Sequence, residues 1–208
     1  MGPTGALECS VLVLAGGRSR RFGRDKLRLD WRGRTLRDHV VARMSELSDD
    51  VIVLAASDAG GEDPPPSGVR ILRDAEAWPG PLVALGAGLA AVAHELAVLV
   101  AADMPLIPLR MVDLLLAEAA VAGRTIVGLD AHDELQPLPL AIHRTPVLAA
   151  LEPLIGAGAR RLGALRGLPG AHGIPEAVWR ALDPHGDSLR DIDTEEDLLT
   201  LLSEPTED

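Results

Sequence analysis

Cysteine is almost absent: Cys9 stands alone among 208 residues. One thiol permits no internal disulfide and no cysteine-built zinc site, and it fits a reducing cytoplasm. Aromatic residues are nearly as scarce, with three Trp, one Phe and no Tyr. Leu, Val and Ala must therefore fill the core, and Cys9 is expected to join it. No apolar run approaches the roughly 18 residues of a membrane span. The N-terminal MGPTGALECS lacks the basic start and long apolar stretch of a signal peptide. A net charge of −11 speaks against general affinity for nucleic acid or an anionic membrane. These absences predict a cytoplasmic protein. Lysine is as scarce as cysteine, for Lys26 is the single lysine among 20 basic residues.

What is present describes a globular chain. At 208 residues, one domain can bury about 70% of the surface of its unfolded chain. That domain is expected over 1–202, with an acidic, frayed tail over 203–208. Charge is concentrated rather than spread. Residues 18–37 hold nine basic side chains against Asp25 and Asp30, a local +7 on an acidic body. A solvated Arg-rich loop explains such a run, and so does a local anionic ligand.

Strand-like and helix-like runs alternate. Short apolar stretches at 9–14, 51–55, 69–72, 97–101, 125–128 and 138–143 read as strands. Thr35 opens a helix with Asp38 as its capping-box partner, and Thr194 opens the last one with Asp197. Further helices are expected over 81–93, 108–120 and parts of 146–167, while 58–68 is a surface loop. Strands separated by helices imply βαβ units and a mainly parallel sheet covered on both faces. Ligands of such sheets lie at the carboxyl ends of the strands, here after Leu14, Leu72 and Ala101. The GxGxxA string at Gly86 and Gly88 falls inside a helix, where packing is the better explanation. Six scattered His without an i, i+4 pair offer no zinc site.

The loop after the first strand is LAGGRSRRFGRDK, residues 14–26. Gly16 and Gly17 let the backbone turn tightly and bring N–H groups against an anion. Ser19 can donate a hydrogen bond, and Arg18, Arg21 and Lys26 can reach phosphate oxygens. Each charge-assisted bond of that kind is worth about 1.5–3 kcal/mol. The loop is not a Walker A sequence. Asp103, in AADMP after the fourth strand candidate, is either a strand-exit turn or a Mg²⁺ ligand; opposite a phosphate loop the ligand reading is the stronger.

The string resembles the phosphate loop of the molybdenum cofactor guanylyltransferase (MobA-like) family of nucleotidyltransferases, which runs Leu-Ala-Gly-Gly-x-Ser-x-Arg-Met-Gly-x-Asp-Lys. Leu14, Ala15, Gly16, Gly17, Ser19, Arg21, Gly23, Asp25 and Lys26 match, with Phe22 in place of Met. Asp103 matches the family's Asp-x-Pro metal ligand. Asp74 with the Gly80-Pro81-Leu82 element matches its nucleoside-holding segment. Gln136 to Arg144 and Leu189 to Leu198 are similar to its last two motifs. The resemblance implies a Rossmann-like three-layer α/β/α nucleotidyltransferase fold with a mainly parallel sheet. It also implies Mg²⁺-dependent transfer of GMP from GTP to Mo-molybdopterin, with release of pyrophosphate. Lys26, Arg21 and Asp103 would be catalytic, and Leu14, Ala15, Gly16, Gly17, Ser19, Lys26, Asp74 and Asp103 would line the nucleotide and metal site. Transient contact with molybdenum insertion proteins and acceptor molybdoenzymes would follow.

Three positions of the last motif depart from the family pattern. The family's two asparagines near the C-terminus are Asp191 and Asp193 here, and its proline is Glu195. Asp193 reads equally as an acceptor-side residue and as the residue leading into the Thr194 cap. Related enzymes using CTP or another phosphorylated acceptor, and a non-catalytic delivery protein, are the competing readings.

Overall fold

The apolar string CSVLVLA forms strand β1, Cys9–Ala15, and its alternation divides the core. Val11 and Val13 face one apolar layer, while Leu12 faces the other. The computed structural model describes residues 8–16, 26–57, 66–73 and 80–203. Beyond β1 come the short strands β2 (Asp30–Trp31) and β3 (Arg34–Thr35), helix α1 (Leu36–Met44), β4 (Val51–Ala55) and β5 (Val69–Arg73). Helix α2 (Pro81–Ala91), β6 (Leu96–Ala101), α3 (Leu109–Ala119), β7 (Ile126–Ala131) and β8 (Glu134–His143) follow. The chain continues with α4 (Arg144–Gly156), β9 (Ala171–Ile174), the single-turn α5 (Glu176–Trp179) and α6 (Glu195–Ser203).

Seven strands make the central sheet in the order β5-β4-β1-β6-β8-β7-β9. Every neighbouring pair is parallel except those made by β8, which is antiparallel to both β6 and β7. The expected three-layer α/β/α arrangement is therefore present. Helices α1 and α3 cover one face through Val40, Met44, Met111 and Leu115. Helices α2 and α4 cover the other through Leu82, Leu85, Val147 and Leu151. From β1 the chain moves outward to β4 and β5, then returns to place β6 on the opposite side of β1. The strand order thus reverses between β1 and β6, and a crevice opens at their carboxyl ends.

Most expected elements stand within a few residues of their anticipated bounds. Gly88 does pack α2 onto the sheet, for a Cβ there would lie 3.0 Å from Leu12 and 3.1 Å from Leu54. Helix α1 stops at Met44. Its Thr35 cap accepts the Asp38 N–H at 3.1 Å, but the Asp38 carboxylate turns to Arg37 rather than closing the box. The box of α6 is complete. Thr194 Oγ1 accepts from Asp197 N at 3.1 Å, and Asp197 Oδ2 accepts from Thr194 N at 2.7 Å. Strand β8 begins at Glu134, and β2, β3, β9 and α5 were not anticipated.

A third, smaller apolar cluster lies beyond the two main layers. Leu29, Trp31, Leu36, Ile192, Leu198 and Leu201 are buried together. They join the β2–β3 hairpin, the start of α1 and the C-terminal helix. This cluster underlies the candidate site.

Candidate active site

Strands β1 and β6 deliver their ends to the crevice in register. Leu14 pairs with Ala101, and the Leu14 carbonyl accepts the Ala102 N–H at 2.9 Å. A turn closed from Met104 N to the Ala101 carbonyl then holds Asp103 just past β6. Asp103 is thus carried by a rigid strand end, and its side chain stays 19% exposed. Gly16 continues from β1 and is exposed. A Cβ there would make only ordinary contacts, 3.7 Å from Ala56 N and 3.9 Å from the Leu54 carbonyl.

Lys26 begins a short 3-10 turn, Lys26–Arg28, and its ammonium reaches Asp103. Nζ lies 2.6 Å from Asp103 Oδ2 and 2.9 Å from Asp193 Oδ1. It also donates to the Ile192 carbonyl at 2.9 Å. Burial works against the charged ammonium, but the charges and hydrogen bonds of Asp103 and Asp193 outweigh it and hold the Lys26 pKa above its ordinary value. The segment bearing Asp193 is fastened to the β6 end from the other side, because Ile192 N donates to the Asp103 carbonyl at 2.9 Å.

Asp191 completes the group. Asp103, Asp191 and Asp193 each present a carboxylate oxygen within 4.8 Å of the others. Partial burial, then the charges of Asp103 and Asp193, push the Asp191 pKa up. Among the described residues, three carboxylates stand near this one ammonium, and their oxygens are the hard donors that suit Mg²⁺.

Of the residues expected from sequence, the structure brings Lys26 and Asp103 into contact and sets Leu14, Ala15 and Gly16 at the mouth of the same crevice. Gly17, Ser19, Arg21 and Asp74 lie outside the described residues. The Gly80-Pro81 element starts α2. Gly80 has φ +98°, and a Cβ on it would come within 2.9 Å of the Arg160 carbonyl. Two other motif residues serve the fold. Arg144 Nε donates to the Leu89 carbonyl at 2.9 Å, and Gln136 Nε2 donates to the Ala131 and Glu134 carbonyls, each at 2.9 Å. Sequence reasoning missed the convergence of Asp191, Asp193 and the Ile192 carbonyl on Lys26. The acidic pair at 191 and 193 was the visible signal, but nothing local ties it to residue 26.

A family model described as a MobA-like NTP transferase domain matches residues 11–172. The chain belongs to that family. It is a nucleotidyltransferase. A probable molybdenum cofactor guanylyltransferase of Chloroflexus aggregans is 36% identical over 194 residues, covering 91% of each chain. A molybdenum cofactor guanylyltransferase of Pseudomonas putida (strain F1) is 38% identical over 156 residues, 74% of this chain and 80% of its own. Among solved structures, molybdopterin-guanine dinucleotide biosynthesis protein A from Archaeoglobus fulgidus superposes with a TM-score of 0.73 at 22% identity, covering 92% of this chain and 95% of that one. That superposition bears on the nucleotidyltransferase's fold. Among the described residues, no helix is long and apolar enough to cross a membrane.

Proposed function

We propose that this nucleotidyltransferase moves GMP from GTP onto the terminal phosphate of Mo-molybdopterin, forming the guanine dinucleotide cofactor and releasing pyrophosphate. The observation that carries the reading is the 2.6 Å approach of Lys26 to Asp103 at the reversal of strand order. The family relationship supports this choice of acceptor and nucleotide.

The chemistry asks little covalent work of the protein. The acceptor phosphate is already an anion, so no protein base is needed. Its oxygen attacks the α-phosphorus of GTP in line with the leaving group. A new P–O bond forms as the α–β bridging bond breaks, and pyrophosphate departs with the bonding pair. Catalysis is then positioning plus charge neutralisation. Lys26 and Arg21 serve the phosphates, the Gly16-Gly17 backbone and Ser19 cradle the triphosphate, and Asp74 meets the nucleoside.

The donor set fits Mg²⁺. Its members are all carboxylate oxygens, and they already seat one cation, the Lys26 ammonium. Asp103 would hold the metal, with Asp191 as the second carboxylate in reach. Bound there, Mg²⁺ would supply neutralising charge to the triphosphate. Molybdenum insertion proteins would deliver the acceptor, acceptor molybdoenzymes would take the product, and the work belongs in the cytoplasm.

Purified enzyme incubated with MgCl₂, Mo-molybdopterin and each NTP in turn tests the reading through pyrophosphate release. Release is expected with GTP. Release with CTP but not GTP would overturn the nucleotide assignment, and release only with another phosphorylated acceptor would overturn the pterin.

A further inference from the structure

Lys26 has three N–H donors, and among the described residues three acceptors surround it. One is Asp103 Oδ2 on the β6 end at 2.6 Å. The other two, the Ile192 carbonyl and Asp193 Oδ1, both at 2.9 Å, come from the segment leading into α6. That segment is itself braced. Ile192 is fully buried against Trp31, Leu36, Leu198 and Leu201. Asp193 N donates to Asp197 Oδ2 at 3.0 Å, and the same carboxylate closes the α6 capping box. The two acceptors therefore sit on a fixed backbone and not on a swinging loop.

We propose that Asp193, with the Ile192 carbonyl beside it, is the positioning residue that keeps the Lys26 ammonium in the crevice when a nucleoside triphosphate and its metal engage Asp103. The inference rests on the reading of Lys26 as a phosphate-binding residue. Lysine carries its charge on a flexible four-carbon stem with considerable rotamer entropy. Held by Asp103 alone, the ammonium would lose its partner to the metal and be repelled by it. Held by Asp193 and Ile192 as well, it keeps two donors anchored while the third exchanges from Asp103 to a phosphate oxygen. Asp193 thus acts through Lys26 and not on the substrate.

Calorimetric titration with GTP in MgCl₂ tests this without turnover, using wild type, Asp193→Ala, Asp193→Asn, Lys26→Ala and the Lys26→Ala/Asp193→Ala double variant. Removing a carboxylate near a triphosphate should, by repulsion alone, tighten binding. A positioning role has the opposite sign. Asp193→Ala is expected to weaken GTP binding on the order of tenfold. Asp193→Asn, which keeps a hydrogen-bond acceptor on the same backbone, recovers part of that loss and serves if the alanine variant folds poorly. In the Lys26→Ala background, Asp193→Ala costs nothing further. Wild-type or tighter binding by both Asp193 variants, or an equal loss with and without Lys26, would overturn the proposal. Undiminished GTP binding by Lys26→Ala would instead overturn the reading of Lys26 itself.

Discussion

Lys26 and Cys9 show how much a single side chain's surroundings decide. An ammonium is a compact point charge that can shift between acceptors. Arginine's planar fork demands matched pairs of acceptors. Among the described residues the acceptors at Lys26 diverge, coming from the end of β6, a main-chain carbonyl and a side chain of the C-terminal segment, an arrangement that suits an ammonium better than a guanidinium. Cys9 has the opposite environment. Burial, then the nearby Asp113 charge, push its thiol up to about 11. A thiol so protonated and enclosed is a poor nucleophile. The native enzyme at pH 8 is expected to leave Cys9 unreacted with a chromogenic disulfide reagent, and one thiol per chain should appear only on denaturation. Rapid stoichiometric labelling of the native enzyme would contradict this.

At the scale of elements, legibility followed pattern strength. Buried strands such as Val51–Ala55 and the striped helix Leu109–Ala119 carry their own periodic signal. Strand β9 (AHGI) and the single turn of α5 carry none, and they exist because β7 offers an edge and Asp130 a carbonyl for Trp179 Nε1, at 2.8 Å. The site divided the same way. The glycine-rich string after β1 and Asp103 after β6 are local sequence motifs at strand ends. The bond from Lys26 to Ile192 spans 166 residues and depends on the closing of the third apolar cluster. One structural clamp was equally invisible. Asp50, before β4, accepts from Ser10 Oγ at 2.5 Å, Ala93 N at 2.7 Å and Arg70 at 2.5 Å, tying β1, β5 and the α2–β6 turn together. Burial raises its pKa, but these hydrogen bonds and the Arg70 charge outweigh that and hold it below the ordinary 3.8. A carboxyl depressed in the folded state contributes stability above its unfolded pKa and loses it as pH falls below that value. Asp50→Ala should cost about 1–3 kcal/mol by stranding the buried Ser10 hydroxyl and its neighbours. Chemical denaturation at pH 7 and near pH 3 checks it. The gap between wild type and variant should narrow at the lower pH, and an unchanged gap would count against the clamp.

On the scale of the whole molecule, the fold assigns separate tasks to its two ends. The amino ends of the strands carry the Asp50 clamp. Their carboxyl ends, at the reversal between β1 and β6, carry Lys26, Asp103, Asp191 and Asp193. The third apolar cluster connects the C-terminal helix to that crevice, so the segment leading into α6 holds Lys26. The central claim is that GMP transfer takes place in this crevice. Its most direct test follows the label from α-phosphate-labelled GTP into the pterin product for wild type, Lys26→Ala and Asp103→Asn, alongside each variant's thermal unfolding. The account predicts labelled dinucleotide with wild type, a loss on the order of 10²-fold or more in both variants, and unfolding that still shows a folded domain; labelled product at the wild-type rate from either folded variant would contradict it.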